Sequence, residues 1–401
     1  MMMILSDVCE FIIDCPHSTA NDEGAGYPLI RTPNIGKGRL ILEGVHRVSE
    51  DVYQKRNARG TPQEGDLIFA REAPAGNVAL ITKGQKVCLG QRTVLIRPKA
   101  DLIDASFLTY YLLAPQQQYS LLGSANGATV AHVNLPIIRN LPIEIPDLKI
   151  QKKIGEIISA YDNLIENNQK QIKLLEETAQ RLYKEWFIDL RFPGHETTKI
   201  VDGIPTGWQE KFISELCLKM NAGGTPSRGK KSFYALEGHR WFKTKELLDN
   251  WLIDSEEHIS DEGLAGSSAK LFPPNTIVMA IYASPTLGRL GIMRHESTTN
   301  QAALCMAADS SKCSWQWLFH KLYELRDEFN AIARGAGQQN ISGDAVKSKV
   351  VVVPTKKLMD LFTKNVEPIF EKMYVLTDEI EKLKQTRDRL LPKLMSGEIE
   401  V

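Results

Sequence analysis

The side chains best suited to specific recognition chemistry lie in two polar, glycine-rich loops. These loops are GSANGATVAHVN at 123–134, with Asn126, Thr129 and His132, and RGAGQQNISGDAV at 334–346, with Gln338, Gln339 and Asn340. Glutamine and asparagine amides can form paired hydrogen bonds with adenine in the major groove of DNA, and arginine and lysine can do so with guanine. Different side chains at equivalent places would let the two loops read different sequences. The alternative is that these residues only satisfy the hydrogen bonds of a glycine-rich turn.

Basic and amide side chains elsewhere extend these loops into candidate DNA-binding surfaces. They are chosen for their side-chain chemistry and their position in predicted loops. The candidates in the first half are Arg31, Lys37, Arg39, Arg71, Gln91, Arg92 and His132, and those in the second half are Lys243, Lys245, Arg289, Gln301, Gln338, Gln339 and Asn340. Phosphate contacts would add affinity, whereas base contacts would add discrimination. The sequence does not sort the candidates into these two classes.

The overall charge gives no sign of nucleic-acid binding. The 401 residues include 49 Lys and Arg and 49 Asp and Glu, so the formal net charge at pH 7 is zero. A neutral protein can still segregate its charges. Segments that could supply a phosphate-facing stripe are GKGR at 36–39, YQKRNAR at 53–59, SRGKK at 227–231 and WFKTK at 241–245. Each segment taken alone is also typical of a solvated surface loop.

No recognisable catalytic motif accompanies these residues. The sequence has no phosphate-binding loop, no HExxH site and no serine in a nucleophile elbow. PPN at 273–275 partly matches the catalytic tetrapeptide of amino-methyltransferases, but lacks its leading polar residue and its terminal aromatic residue. The six cysteines include no CxxC pair and no histidine at ligand spacing, so we predict buried free thiols and no metal site. No glycine-rich cofactor loop accompanies PPN, and we predict that this chain itself binds no cofactor. The sequence therefore predicts a chain that directs enzymes and catalyses no reaction itself.

Two long amphipathic helices must position the candidate residues. Between 150 and 188, apolar residues recur at alternating steps of four and three, which is typical of a coiled-coil seam. An offset of 208 residues maps this seam onto a second helix, and the polar exceptions are Asn168 in the first helix and Arg387 in the second. The predicted helix-pair seam consists of Ile158, Tyr161, Ile165, Ile172, Leu175, Leu182, Trp186, Val366, Ile369, Met373, Leu376, Ile380, Leu383, Leu390 and Leu394.

The repeat extends beyond the helices. ILSDVC at 4–9 matches FISELC at 212–217 at the same offset, and FLTYYL at 107–112 matches WLFHKL at 317–322. The protein is therefore a duplication, and each half is a globular unit followed by a long helix. The predicted boundaries are 1–148 for the first domain, 149–188 for the first long helix, 189–206 for a linker, 207–354 for the second domain, and 355–401 for the second long helix with a C-terminal tail.

Each globular unit is predicted to be mixed and rich in strands. Runs such as YPLIRT, DLIFA, RTVLIRP and IIRNLPIEIP contain β-branched residues and are bounded by Gly and Pro, which indicates strands. The stretch 104–122 has helical spacing, with Asp104 as its N-cap. The long helices would bury their seams against each other, and the connectivity predicts that they run antiparallel, with a kink at Pro368. The predicted fold is α+β, with two similar domains separated by two long antiparallel coiled-coil helices and a pseudo-two-fold internal repeat.

Two similar domains held by long helices suit a two-part linear target. B-DNA with half-sites about 34 Å apart is such a target. Over nearly its whole length the chain also resembles the specificity subunit of type I restriction-modification systems. The resemblance lies in the order unit, helix, unit, helix, in the segment GATVAHVNLPIIRNLPIEIPDLKIQKKIGEIISAYDNLI with its counterpart GAGQQNISGDAVKSKVVVVP, and in LLEETAQRLYKEWF.

This resemblance implies a function and a set of partners. Each unit would be a target recognition domain for one half of a split, asymmetric site in double-stranded DNA, and the helices would set the spacer. Two methylation subunits would bind along the helices and supply S-adenosylmethionine chemistry at adenine N6, and motor-nuclease subunits would join for restriction. Pro368 departs from the first helix, which has Ala160 at the equivalent place.

Two other functions remain open from the sequence. The main alternative is a duplicated scaffold whose domains bind proteins, and a lesser one is an enzyme with an unrecognised active site. No apolar run approaches the length that a bilayer requires, and the first residues lack a signal-peptide pattern. We therefore expect a cytoplasmic chain with no membrane partner.

Overall fold

The computed structural model describes residues 3–123, 132–282, 285–335 and 340–401. The chain forms two compact units. The first unit comprises Met1–Glu166 with Lys382–Val401, and the second unit comprises Asn167–Glu381. Each unit therefore contains one globular domain together with a segment of each long helix.

The first domain is built on a five-stranded sheet with the order β2-β9-β6-β7-β4 and a three-stranded sheet with the order β5-β3-β8. Its strands are β1 (Met3–Ile4), β2 (Cys9–Asp14), β3 (Tyr27–Ile30), β4 (Gly38–Arg39), β5 (Arg47–Val48), β6 (Leu67–Ala70), β7 (Val78–Leu80), β8 (Cys88–Leu89), β9 (Thr93–Pro98) and β10 (Pro142–Ile143). Both faces of β6 are buried, because Leu67 and Phe69 join one apolar cluster while Ile68 and Ala70 join another.

Helices pack on one face of this sheet. They are α2 (Ala105–Leu113), α3 (Pro115–Gly123), α4 (Leu135–Arg139) and the long helix α5 (Leu148–Tyr183), whereas α1 (Glu50–Arg56) packs against the three-stranded sheet. The Asp104 side chain accepts the N–H of Phe107 at 2.9 Å, as predicted for an N-cap. The stretch predicted as one helix is two helices, because Ala114 is extended before Pro115 and a residue that precedes proline disfavours the helical conformation. The strand predicted in IIRNLPIEIP is wrong in its first part, which forms α4.

The second domain repeats the first. Its strands are β11 (Ile200–Val201), β12 (Ile204–Pro205), β13 (Gln209–Phe212), β14 (Cys217–Ala222), β15 (Tyr234–Ala235), β16 (His239–Phe242), β17 (Asn250–Leu252), β18 (His258–Ile259), β19 (Ile277–Ala280), β20 (Leu290–Met293), β21 (Thr298–Thr299), β22 (Ala303–Ala308) and β23 (Val350–Val353). Its helices are α6 (Asp261–Ala265), α7 (Trp315–Glu324), α8 (Arg326–Gly335), α9 (Gly343–Lys347) and the long helix α10 (Lys356–Met395).

The sheets of the two domains have the same connectivity. The five-stranded sheet β14-β22-β19-β20-β17 matches β2-β9-β6-β7-β4 strand for strand, and the last pair is parallel in both. Likewise, β16 pairs with β21 in parallel as β3 pairs with β8. The predicted α+β fold with an internal repeat is therefore confirmed.

The long helices pack antiparallel within each unit. In the first unit Ile154 and Ile158 of α5 share an apolar cluster with Leu394 of α10. In the second unit the ring of Trp186, in the π-helical turn Lys184–Ile188 that follows α5, lies 6.0 Å from that of Phe362 near the start of α10. Early residues of one helix thus meet late residues of the other. The second helix continues without interruption through Pro368, where the sequence predicted a kink.

The predicted seam is buried to different degrees. Fully buried are Ile158, Ile165, Ile172, Trp186, Val366, Met373, Leu376, Ile380 and Leu394. Half-buried are Tyr161, Leu175, Leu182, Ile369, Leu383 and Leu390. All six cysteines are free thiols, and Cys217 is the one that is not fully buried.

A polar cluster joins the first domain to the helices of its unit. The carboxylate of Asp162 on α5 accepts the hydroxyl of Tyr110 on α2 at 2.5 Å and binds Arg387 of α10 at 2.6 Å. The Asp162 side chain is 4% exposed and that of Arg387 is 16% exposed. Burial, followed by the charge of Asp162, raises the pKa of the Tyr110 hydroxyl.

The equivalent place in the second unit has no ion pair of this kind and contains a cavity. The repeat sets Ala179 in the position of Arg387, Phe370 in that of Asp162, and His320 in that of Tyr110. The His320 ring lies 5.3 Å from that of Tyr183 and 5.7 Å from that of Phe370. Ala179, His320 and Phe370 line a cavity of about 120 Å³. Burial lowers the pKa of His320 to about 3.

Candidate nucleic-acid interface

Two parallel strands end side by side in each domain, and a basic residue and a glutamine follow them. In the first unit Arg31 follows β3, and Gln91 lies two residues after its parallel neighbour β8. In the second unit Lys243 follows β16, and Gln301 lies two residues after β21. Because neighbouring parallel strands end at the same edge of a sheet, each domain presents one cation and one amide at an equivalent place.

A pocket of about 290 Å³ lies beside these residues in the first unit. Its lining includes Arg31, Arg56, Gln91 and Arg92. No aspartate or glutamate contributes to this lining. The sequence selected three of these four residues from their side-chain chemistry, and the fold brings those three together.

A chain of ion pairs and hydrogen bonds holds Arg71, His132 and Arg92 at the same end of the sheet. Arg92 binds Glu72 at 2.8 Å, and the other oxygen of Glu72 lies 2.5 Å from His132 Nδ1. Arg71 donates to His132 Nε2 at 2.9 Å and binds Asp14 at 2.8 Å. Since a guanidinium only donates, His132 accepts at Nε2 and carries its hydrogen on Nδ1.

The two arginines of this chain differ in exposure. The Arg71 side chain is 11% exposed and supports the network from inside, whereas that of Arg92 is 61% exposed. Arg92 has a left-handed backbone, with φ of 63°, and its carbonyl accepts the N–H of Arg71 at 2.9 Å. Arg92 is therefore the member of the pair that a DNA groove can reach.

Lys37 and Arg39 lie at the start of the edge strand β4. Arg39 binds Glu166 of α5 at 2.7 Å and also donates to Asn163. The side chain of Arg39 therefore attaches the sheet edge to the long helix. Lys37 is exposed.

Acidic side chains balance the basic candidates of the second unit. Lys243 and Arg228 both bind Glu257, and Lys245 binds Glu256. Hydrogen bonds from Arg228 and then Lys243 lower the pKa of Glu257 to about 2. The Lys243 side chain is 19% exposed and that of Lys245 is 58% exposed. Lys245 is thus the more accessible of the two.

Aromatic rings and a hydroxyl surround the same cluster. The Arg228 guanidinium lies 4.5 Å from the ring of Tyr234 and 5.1 Å from that of Trp241. The side chain of Gln301 accepts the hydroxyl of Thr225. These contacts fix the orientation of Arg228 and Gln301 beside the end of β16.

Asn340 occupies the place of His132 in the second unit. Ile341 donates its N–H to Ile281 at 2.8 Å, as Val133 does to Arg71 at 3.0 Å. Asn340 is exposed and forms a bridge with Tyr282. The equivalent of the Glu72–His132 contact is therefore a tyrosine beside an asparagine.

The remaining candidates are not part of these clusters. Arg289 is half-buried just before β20. Gln338 and Gln339 lie outside the described residues, as do Asn126 and Thr129.

Sequence reasoning missed the acids and the buried arginine of this site. Arg56, within the basic segment 53–59, is only 6% exposed, so it does not form a surface stripe. Glu72 directly follows Arg71, and the adjacent pair Glu256 and Glu257 follows the basic segment 241–245 at short range. Acids so close to the basic segments were a signal that part of the positive charge would be compensated.

The comparisons with known proteins agree on one family. Residues 1–177 match the family model described as the type I restriction modification DNA specificity domain. The type I restriction enzyme MjaIX specificity subunit of Methanocaldococcus jannaschii is 25% identical over 385 residues, which cover 94% of this chain and 88% of that protein. The chain is thus similar to type I restriction-modification specificity subunits over its first 177 residues by the family model and over most of its length by this relative.

Other specificity subunits are similar to both halves of the chain. The HindI specificity subunit of Haemophilus influenzae is 23% identical, over 85% of this chain and 88% of its own length. The crystal structure of the type I restriction-modification S subunit from M. genitalium shares the fold, with a TM-score of 0.58 and 16% identity over 98% of this chain and 95% of its own. Because these matches span both units, the second domain repeats the specificity-subunit fold of the first.

Among the described residues, no group of three or more His, Cys, Asp or Glu side chains is arranged to hold a metal ion. Within the same part of the chain, no helix combines the length and apolarity that crossing a membrane requires.

Proposed function

We propose that this chain is the DNA sequence-recognition subunit of a type I restriction-modification complex, and that each domain reads one half of a split, asymmetric site. The observation that carries the proposal is the repeated pair of a cation and a glutamine at the ends of two parallel strands, Arg31 with Gln91 and Lys243 with Gln301. The glutamines can donate and accept hydrogen bonds at base edges in the major groove, and the cations can donate to bases or to phosphates.

Differences between the two domains support the asymmetry of the site. Arg92 of the first unit has Ala302 as its counterpart, and His132 has Asn340. An arginine favours guanine, whereas an alanine offers only an apolar surface. The two domains would therefore select different half-sites although they share a fold.

The long helices would dock the partners that perform the chemistry. Large apolar side chains on the helices are exposed, among them Leu164 and Leu174 of α5 and Val375 of α10, at 47%, 62% and 50%. Exposed apolar residues of this kind are available to bury against partner proteins. Two methylation subunits would supply S-adenosylmethionine and modify adenine N6, and motor-nuclease subunits would join them for restriction.

Within this complex the chain would position the DNA and would catalyse no reaction of its own. An adenine must leave the base stack before its N6 can be methylated. By binding both half-sites, the two domains would hold the duplex in register while a partner subunit extrudes the base. S-adenosylmethionine would bind to the methylation subunits and not to this chain.

Electrophoretic mobility shifts with the methylation subunits present test this function. We expect the complex to retain a duplex carrying its split site against an excess of unrelated DNA. If no duplex from a random library is enriched, a protein-binding scaffold replaces this proposal. If the purified chain alone transfers methyl groups or cleaves DNA, the chain is an enzyme.

A further inference from the structure

We propose that the 290 Å³ pocket of the first unit binds a phosphate group of the DNA backbone through Arg31 and Arg56, and that the equivalent place in the second unit does not. This inference rests on the proposed function for its ligand. It assigns the charge-dependent contact with the DNA backbone to the first domain and not to the second.

Arg56 brings a buried positive charge that no carboxylate compensates. Its Nε donates to the carbonyl of Leu89 at 2.6 Å, its Nη1 to the carbonyl and hydroxyl of Ser18 at 3.1 and 3.5 Å, and its Nη2 to the carbonyl of Pro16 at 3.5 Å, so Arg56 contributes mainly its charge. The ion pairs found among the described residues do not include Arg56. A buried charge costs free energy unless an opposite charge accompanies it. The pocket wall that Arg56 forms is therefore electropositive.

Arg31 brings donors that lack partners. Its Nε is buried and has no hydrogen-bond acceptor in the described part of the chain. The side chain lies against Gly90, where a Cβ atom would come within 2.8 Å of Arg31 Cγ. Hydrogen bonds from the N–H groups of Arg47 and Gly24 lower the pKa of the Asp22 carboxyl, and the charge of Arg31 adds to this effect, so Asp22 offsets part of the charge of Arg31. An incoming anion would supply the hydrogen-bond acceptor that Arg31 lacks.

The charge count of the pocket favours an anion. Arg31, Arg56 and Arg92 line it, and the ion pair with Glu72 cancels the charge of Arg92 alone. The charges of Arg31 and Arg56 remain, and Asp22 offsets part of that of Arg31. Arginine recognises phosphate oxygens through its planar set of donors, and the hydroxyl of Thr19 and the amide of Gln91 offer further donors in the same pocket.

The matching cluster of the second unit has no such excess. Lys243, Lys245 and Arg228 face Glu256 and Glu257 in described ion pairs. A third carboxylate, that of Glu246, accepts the backbone N–H of Lys243, so three cations stand against three acids. This cluster can orient donors toward bases but offers little net charge to a phosphate.

The salt dependence of DNA binding separates these two kinds of contact. Each phosphate neutralised by a protein cation contributes a slope of about −0.9 to log K against log salt concentration. We expect R31Q, measured in the full chain with its methylation subunits, to reduce the steepness of this slope by about one. The loss of affinity should be similar for specific and unrelated duplexes.

The matched control is the charge-balanced double variant K243Q/E257Q at the equivalent strand end. It removes one charge of each sign, so we expect the salt slope to stay as in the wild type while recognition of the second half-site changes. R31K should keep the wild-type salt slope if the effect of R31Q on that slope comes from the lost charge. Equal thermal unfolding of R31Q and the wild type excludes misfolding. An unchanged slope in R31Q, or an equal reduction in K243Q/E257Q, would overturn the inference.

Two further measurements identify the source of the phosphate. A duplex with an uncharged methylphosphonate at the contacted position should bind wild type and R31Q with the same slope. If inorganic phosphate stabilises the wild type but not R31Q while the slopes on DNA are equal, the pocket binds free anions and the proposal is wrong. Failure of the proposed function can be told apart from failure of this inference. The first would appear as a wild-type complex without sequence preference, whereas the second is read from salt slopes, which can be measured on any duplex.

Discussion

Arg92 shows how a charged side chain can be fixed for reading. Glu72 binds its guanidinium at 2.8 Å, and His132 holds the second oxygen of Glu72. The pair carries no net charge, so its attraction for phosphate is small, yet the exposed donors of Arg92 keep a defined direction. Such a side chain suits hydrogen bonding to a base edge more than screening of the backbone.

Replacing Arg92 should relax recognition at a single base pair. We expect R92A to lose about 1–3 kcal/mol of discrimination at one position of the first half-site. Binding to duplexes that carry each single base substitution measures this loss. Discrimination in the second half-site should be unaffected, and a uniform loss of affinity for every duplex would show that Arg92 contacts the backbone.

His320 should make the second unit sensitive to acid. Its pKa is lowered to about 3 by burial, from an ordinary value of 6.5. Below about pH 6.5 the unfolded chain binds a proton that the folded chain does not, so the free energy of unfolding falls as the pH falls towards 3. The slope is about 1.4 kcal/mol per pH unit.

Unfolding of wild type and H320F across this pH range measures the effect. H320F lacks the titrating group, so we expect its stability to fall less steeply with acid than that of the wild type. The two chains are to be compared at pH 8, where His320 is neutral in both states. Parallel acid curves would contradict the assignment.

Side-chain chemistry in the sequence predicted some of this site and missed the rest. Arg31, Gln91 and Arg92 were selected because their types can read bases, and the fold brings them to one pocket. The inward direction of Arg71 and the identity of the acid that binds each cation could not be predicted. The acids Asp14 and Glu257 approach only after the sheets have formed, and spacing in a sequence does not report such contacts.

At the scale of elements, the repeated seam predicted where the long helices pack. Apolar spacing alone carries that information, because it marks the face that each helix must bury. Arg387 was an exception to the repeat, and its role depends on which residue of α5 lies opposite. The structure supplies that register by pairing it with Asp162 at 2.6 Å. The break at Ala114 also needed the structure, since both flanking segments have helical spacing.

Removing Arg387 should destabilise the first unit strongly. R387A leaves the Asp162 carboxylate buried without its cation, which costs about 3–5 kcal/mol for a buried ion pair. Hydrogen exchange of the α2 amides, which lie in the same unit, measures the loss. The double variant D162A/R387A should be less destabilised than R387A, because it buries no unpaired charge. If the double variant loses as much or more, the ion pair is not what stabilises this junction.

At the scale of the whole molecule, the duplication predicted two similar domains and two helices. The repeat was visible because apolar spacing and short motifs survive divergence. The functional differences between the halves were less visible, because they lie in single exchanges such as Arg92 for Ala302. Such exchanges become meaningful only when strand pairing shows that the positions are equivalent.

The proposed function predicts that helix length sets the unread spacer. One heptad inserted after Glu166 in α5 and one after Glu381 in α10 would lengthen both helices by about 10 Å and keep the seam in phase. We expect the methylated site to keep its two half-sites and to acquire a longer spacer. Methylome sequencing of a host carrying this variant reads both features. Altered half-sites with the original spacer would reject this role of the helices.

The exchange of Arg387 for Ala179 has a consequence for the descent of this protein from a duplicated ancestor. If the first half were copied in place of the second, Asp162 of each copy would face an alanine, and two carboxylates would be sealed into the seam without a counter-ion. A copy of the second half joined to itself would place a phenylalanine opposite each copy of Arg387 and leave two guanidinium groups in the seam without a carboxylate. Each half therefore carries one member of this ion pair. Neither half can replace the other unless the residues of the pair are exchanged as well.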